Sequence, residues 1–394
     1  MSTLGFCLFA TSFAAIFLLF AGYPLLLRLG ALLLGERPHR LDESWRPRVS
    51  LIVVARNAEK LAAAKVANFQ RLDYPPELLE MLFYSDGSTD GTVARVAALA
   101  EPRVRILAEA AHLGKHVGLE RAAAAASGEI LLFTDVDAEL DPATPRLLVR
   151  HLADPAVGGV CGQRLIHKGD SGRLGEAQSG YISWDSGIKR LESRLGSITS
   201  NDGKVYAIRR ELFRGIAPAV TDDLYNALAV IRQGRRFLFE PAACAWIRLP
   251  SRDPAHEVSR RSRIVARGLR GIWLHRALFH PGRYGLFGLG LFLNKVVRRL
   301  LPLLAILLVV ATALLAGDHP PMRLFLGLQG LFLLLALSHP LFFARMRTGR
   351  VASVVERQAS RAWYLCLGMA GTLVGVVNFL TGEVVEKWDP VKGP

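Results

Sequence analysis

Asp135 and Asp137 close the apolar run "EILLFTDVD". Side chains at i and i+2 of an extended chain share a face, so both carboxylates can address one spot. Such a pair suits a hard divalent cation that also takes phosphate oxygens, Mg²⁺ or Mn²⁺. The plainer reading is a polar strand exit into the turn at Asp141–Pro142. A second acidic stretch, "YSDGSTDGT" from Tyr84 to Thr92, ends another apolar run. Turn and cap chemistry alone would explain its Asp, Gly, Ser and Thr. Two acidic strand exits in one domain make a ligand site the stronger reading. Lys115, in "HLGKHVGL", stands where a helix should begin. Gly and Lys at a helix N-terminus make a phosphate site, although a lone helix lysine is usually just solvated. Thr221, Asp222 and Asp223 form a helix-start pattern, in which Thr caps and the acids complement the helix dipole. Trp184 beside Asp185 suits stacking on a sugar, and suits a core tryptophan equally well.

These residues need a scaffold, and the polar stretch that follows the first apolar run supplies one. "VSLIVVA" (Val49–Ala55) is a short β-branched run and predicts a buried strand. Further strands are expected at Glu80–Ser85, Arg103–Ala108 and Glu129–Thr134. Helices are expected at Glu59–Leu72, Asp90–Ala100 and Lys115–Ala126. Strands alternating with helices imply a parallel sheet covered on both faces. Ligands of such sheets bind beyond the carboxyl ends of the strands, where both acidic stretches fall. "SNDGKVYAIRRELF" reads as an Asn-Asp-Gly turn followed by a helix.

The flanks are different in kind. Leu4–Leu34 is apolar apart from a few small polar residues and Arg28, and Leu300–Ala316, Leu324–Phe343 and Ala362–Leu380 are apolar over about the 17–25 residues that span a bilayer. The first lacks the positive start of a cleavable leader, so a retained anchor is expected. Arg28 lies near its end and Arg37, Arg40, Arg46 and Arg48 follow it, which by the positive-inside rule puts the polar domain in the cytoplasm. The basic loop Arg345–Arg361 agrees. The net charge is +15. Its arginines crowd beside apolar segments, so anionic lipid headgroups explain it better than nucleic acid. Cys7, Cys161, Cys244 and Cys366 are isolated and suit a reducing compartment. The expected division is an anchor at 1–36, a polar domain at 46–252, interfacial amphipathic helices at 253–298, about three spans within 299–382 and a tail at 383–394. In the interfacial segment Val258, Val265, Leu269 and Ile272 form an apolar stripe with arginines nearby, the pattern of a helix lying on a membrane surface.

The ordered set "VVARNAEK", "SDGSTDGT", "HLGKHVGLERAAAAASGEILLFTDVDAEL", "GSITSNDGKVYAIRRELF", "TDDLYNALAVIRQGRRFLFEP" and "RRSRIVARGLRGIW" resembles the membrane-embedded glycosyltransferases of family 2, cellulose- and hyaluronan-synthase-like enzymes. The resemblance covers about Val49–Trp273. It implies an α/β GT-A domain, Rossmann-like and built for nucleotide-diphospho-sugars, beside α-helical transmembrane segments. It implies that Asp86 holds the nucleotide, with Arg56, Asn57 and Glu59 lining that pocket and Lys115 near the diphosphate. Asp135 and Asp137 become the metal motif and Asp223 the catalytic base. Asp202 falls near the acceptor, with Asp222 and Trp184 as further candidates. Arg263 stands among arginines where many members carry Gln-x-x-Arg-Trp. That motif is absent as written, because Trp273 follows ten residues after Arg263, and this puts donor gating in doubt. The implied chemistry is one inverting displacement from a nucleotide sugar, a UDP-sugar by resemblance, onto a polysaccharide or lipid-linked acceptor. Few spans are available for a polymer channel, so a second copy or a partner subunit could complete one. The implied setting is a multi-pass protein of a bacterial inner membrane. The rival class is a non-catalytic nucleotide-sugar-binding scaffold on the same fold; the full acidic set, Asp86, Asp135, Asp137 and Asp223, argues against it.

Overall fold

The computed structural model describes residues 2–167, 173–248, 254–343 and 354–383. Eight strands form one sheet: β1 (Val49–Ala55), β2 (Leu79–Asp86), β3 (Val104–Glu109), β4 (Ile130–Asp135), β5 (Glu139–Leu140), β6 (Val157–Ile166), β7 (Tyr206–Arg209) and β8 (Arg236–Ile247). Every residue of β1 is buried, because helices cover both faces. Val49, Leu51 and Val53 pack in one layer with Ala62, Val66 and Phe69 of the Glu59–Gln70 helix. Ile52 and Val54 pack in the other with Leu119 and Ala122 of the Lys115–Ala125 helix. β1 is parallel to β2 and β4, and β3 extends β2 in the same sense. The register sets Ala55 opposite Ser85 and Val54 opposite Asp135. Both acidic stretches therefore leave the sheet at one end.

The all-parallel expectation does not hold beyond β4. The sheet runs β3-β2-β1-β4-β7-β6-β8-β5, and β7 lies antiparallel to both β4 and β6. β7 also corrects the helix expected after the Asn-Asp-Gly turn. Tyr206 and Ile208 enter one core layer while Val205 and Ala207 enter the other. That alternation demands an extended chain, and Tyr206 stacks on Phe133 with ring centroids 4.8 Å apart.

Among the described residues, four helical stretches are long and apolar enough to cross a membrane: Thr3–Leu34, Pro281–Ala316, Pro320–Leu341 and Val354–Leu380. The second begins well before the expected Leu300. Most of the expected tail (384–394) and residues 344–353 of the basic loop lie outside the described residues. The stripe on the Pro254–Leu274 helix meets protein rather than an open membrane surface. Val258 and Val265 pack on Gly371 and Gly375 of the Val354–Leu380 helix, and Gly271 faces Val220. Small residues let the two backbones approach closely, as in membrane helix pairs.

An Ala Cβ at position 375 would lie 2.5 Å from the Ser262 carbonyl oxygen and 2.7 Å from Val265 Cβ. Helix propensity favours Ala over Gly by about 1 kcal/mol. Overpacking costs about 1–3 kcal/mol, and a backbone carbonyl has no rotamer to escape into. Gly375→Ala should therefore lower the thermal midpoint of the purified protein. A raised midpoint would mean that these helices do not pack at this distance.

Candidate functional site

The exits of β1 and β2 are zipped together. Asn57 has φ +48°, a left-handed conformation that Asn tolerates better than most residues. Its Oδ1 accepts the Thr89 N–H at 2.8 Å, and its own N–H donates to Ser88 Oγ at 3.0 Å. The Ala58 N–H donates to Thr92 Oγ1 at 2.6 Å and the Glu59 N–H to Asp90 at 3.2 Å. Glu59 in return accepts the Gly91 N–H at 3.2 Å. Arg56 sits half-buried at the head of this loop. "YSDGSTDGT" is thus a turn, but one locked to a second loop at the site.

Asp86 is 1% exposed and both of its oxygens are engaged. Oδ1 accepts the Leu113 N–H at 2.8 Å; Oδ2 accepts the Gly114 N–H at 3.0 Å and lies 2.9 Å from His112 Nδ1. Gly87 (φ +61°) makes this approach possible, since a Cβ there would stand 2.5 Å from the His112 nitrogen. Asp86 therefore faces the 112–114 loop and fixes the position from which Lys115 starts its helix.

Lys115 joins two motifs that lie far apart in sequence. Its Nζ is 2.9 Å from Asp135 Oδ1 and 2.9 Å from Asp222 Oδ2. Lys204 reaches Asp135 Oδ2 at 2.9 Å and Asp137 Oδ1 and Oδ2 at 2.8 and 3.1 Å. Burial opposes every charge here, but the pairs outweigh it. Asp135 is held well below the usual carboxylate range by Lys115 and Lys204, and both lysines are held above theirs by their aspartates. Beneath the motif lies Lys65, 2% exposed, whose ammonium donates to the Ala138 carbonyl at 2.6 Å. Burial brings Lys65 down to about 7 against the pull of Asp137 and Asp135.

Asp223 opens the Asp222–Arg232 helix. Thr221 occupies the cap position without a side-chain cap bond, and Asp223 Oδ1 accepts the Leu224 N–H at 2.7 Å instead. Oδ2 faces Gly203, where a Cβ would lie 3.4 Å away. Burial, and then repulsion from Asp222, push the Asp223 carboxyl up to about 6. Asn201 donates to the Asp223 carbonyl at 2.9 Å, and Asp202 pairs with Arg164 at 3.4 Å while accepting the Lys204 N–H at 3.2 Å. The structure thus gathers Lys115, Asp135, Asp137, Asp202, Asp222 and Asp223 around the exit of β4. Trp184 lies elsewhere. It packs with Leu18, Ile188 and Leu293, under the Arg298 guanidinium at 4.6 Å, so the core reading describes it.

Among the arginines, burial lowers Arg267 from its ordinary value against the pull of Asp222. Arg263 is brought down to about 10 by burial and by repulsion from Arg267 and Arg260, so it stands in a strongly positive spot. Trp273 is 60% exposed and sits under Arg276. The sequence alone does not mark Lys204, Lys65 or Arg267 as site residues. Lys204 was readable in part, as a cation two positions after Asp202 in an acidic motif set. Lys65 looked like any helix lysine.

Residues 50–216 match the family model described as Glycosyl transferase family 2, as the motifs implied. Beta-monoglucosyldiacylglycerol synthase of Nostoc sp. is 27% identical over 186 residues, 45% of this chain and 40% of the relative. The Synechocystis sp. protein of the same name is 25% identical over 186 residues, 45% of this chain and 39% of its own length. The chain therefore matches about two fifths of the length of these curated relatives. Among solved structures, a mannosyltransferase from Pyrobaculum calidifontis in complex with GDP-Man and Mn²⁺ superposes with TM-score 0.72 at 24% identity, over 95% of this chain and 99% of that one. The fold is GT-A, with a mixed sheet and four long apolar helices.

Proposed function

We propose that the chain is a membrane-bound inverting glycosyltransferase, taking its sugar from a nucleotide sugar, a UDP-sugar in our reading, and delivering it to a lipid-borne acceptor. The observation that carries the acceptor is the loop at 197–204. Toward the site, Asn201 donates to the Asp223 carbonyl. Toward the apolar helices, Thr199 donates through N–H and Oγ1 to Glu192 at 2.8 and 2.7 Å, and Glu192 also accepts from Tyr23 Oη. Asn294 donates to Thr199 Oγ1 at 2.9 Å and Lys295 to Ser200 Oγ at 2.7 Å. A loop bonded to both parts suits an acceptor that enters from a bilayer. The relatives named as glycolipid synthases support the same reading. The arginines after Leu34 support a cytoplasmic side of a plasma membrane for the domain.

Asp135 and Asp137 fit a divalent cation. They offer two hard oxygen donors at one strand exit, already neutralised here by ammonium groups. Among the described residues no third His, Cys, Asp or Glu joins them as a metal group. Two carboxylates plus phosphate oxygens and water is an ordinary Mg²⁺ set. When bound, the cation would stabilise negative charge on the departing diphosphate. Lys115 would meet that diphosphate from its helix start, with Arg267, which interacts with Asp222, and Arg263 one helical turn before it as further cations. Asp223 removes the proton of the acceptor hydroxyl as its oxygen attacks the anomeric carbon. A carboxyl brought up to about 6 is ionised at neutral pH yet basic enough for this task.

The test is a donor screen on the purified full chain in lipid nanodiscs, reading released nucleotide and extracting the product. One organic-soluble product fits a lipid acceptor. A long polymer would replace that acceptor reading, and no transfer from any nucleotide sugar would sink the enzyme reading. Arg263→Ala and Arg267→Ala should each weaken UDP binding about tenfold or more, the scale of one lost charged hydrogen bond. Unchanged affinity by calorimetry would confine these arginines to the membrane surface.

A further inference from the structure

We infer that Lys204 is a resident counterion of the Asp135–Asp137 pair, displaced when a divalent cation binds and received by the donor's diphosphate. The inference rests on the metal-using reading above. All four carboxylate oxygens of the pair are taken by ammonium groups: Asp135 Oδ1 by Lys115, and Asp135 Oδ2 with both Asp137 oxygens by Lys204. A metal bound to both carboxylates would sit about 2.0–2.2 Å from their oxygens. Lys204 Nζ bridges the same two groups at 2.8–3.1 Å, so ion and ammonium claim one space.

Lys204 is the group that must move. Lys115 can release Asp135 and keep Asp222. Among the described residues, Lys204 forms its ion pairs with Asp135 and Asp137 alone. Its backbone is pinned, with its N–H donating to Asp202 Oδ1 at 3.2 Å and its carbonyl accepting from Thr134 Oγ1 at 2.8 Å. Displacement is thus a swing of the side chain alone. The freed ammonium needs an anion within reach of β4, and the diphosphate is the one this site is built to receive. Metal and nucleotide then assist each other, because each offers what the other's arrival demands.

The experiment measures Mn²⁺ binding to the full chain in detergent by electron paramagnetic resonance, with and without UDP. Wild type should bind Mn²⁺ alone weakly and gain strongly from UDP. Lys204→Met should bind Mn²⁺ alone about tenfold or more tighter, since a like charge has left the site, and should gain less from UDP. Lys204→Arg keeps the charge and should stay weak. Should Met unfold the loop, Lys204→Gln carries the same expectation. If Asp137→Ala abolishes Mn²⁺ binding while Lys204→Met and Lys204→Gln bind no tighter than wild type, the counterion role is overturned. If Asp137→Ala binds Mn²⁺ like wild type, the metal motif itself is wrong.

Discussion

Asp223→Asn should cut turnover by about 10²–10⁴-fold, the usual loss for one general base, while UDP affinity stays normal. Asn keeps the size of the side chain and can still accept the Leu224 N–H, but cannot take a proton at neutral pH. The proposed task arises only when an acceptor hydroxyl attacks, so nucleotide binding should not register the change. Wild-type turnover should rise with pH through about 6, where Asp223 ionises, and the residual rate of the variant should lose that limb. Stability separates catalysis from scaffolding. The folded carboxyl titrates higher than the unfolded one, so the folded state holds the extra proton between the ordinary carboxylate range and about 6. Wild-type stability therefore falls as pH rises through that window. Asn carries no such cost, and above pH of about 6 the variant should melt no lower than wild type. Wild-type turnover in Asp223→Asn would pass the role to Asp222 or Asp202.

The first half of the GT-A domain was legible because its signals are local. β1 begins and ends where its β-branched run does, and Glu59, Lys115 and their helices follow strand exits at ordinary loop lengths. The second half depends on partners distant in sequence. β6 contains Gly158, Gly159 and Gly162, which weaken a strand pattern, yet Leu212, Phe237 and the Ala243 carbonyl occupy the space beside them in turn. Tyr206–Arg209 followed by "RELF" carried a helical pattern until its antiparallel neighbours were known. Asp86 shows the limit at the site. Its type and strand-end place were readable; that three groups of the 112–114 loop would surround it was not. The arginine helix shows a related limit. Its apolar stripe fits a membrane surface or a glycine-rich partner equally, and the small residues that part of it packs against lie about a hundred positions on, at Gly371 and Gly375.

Asp135→Ala should damage the protein more broadly than Asp137→Ala. Asp137 is 52% exposed and among the described residues pairs only with Lys204, whereas Asp135 is 26% exposed and holds both Lys115 and Lys204. Removing Asp137 takes one metal ligand. Removing Asp135 takes a metal ligand and also frees the lysine that ties β4 to the start of the Asp222–Arg232 helix. Metal stabilisation of a leaving group is worth several kcal/mol, so turnover should fall about 10³-fold or more. Breaking one side of a fully buried pair costs about 3–5 kcal/mol; partial exposure should keep the loss here nearer about 2 kcal/mol. The acid limb of stability gives a second reading. Asp135 is held below the usual carboxylate range, so its contribution is present at neutral pH and is lost as pH falls through its folded value. Wild type should show that loss in acid denaturation, and Asp135→Ala should lack this component while starting less stable. Asp135→Asn separates the two effects, since it keeps the shape and a weak acceptor for the lysines but is a poor ligand for a hard cation. If Asp135→Asn still turns over with a full response to Mn²⁺, the cation does not bind at this strand exit, and Lys115, Lys204 and the arginines must neutralise the diphosphate themselves.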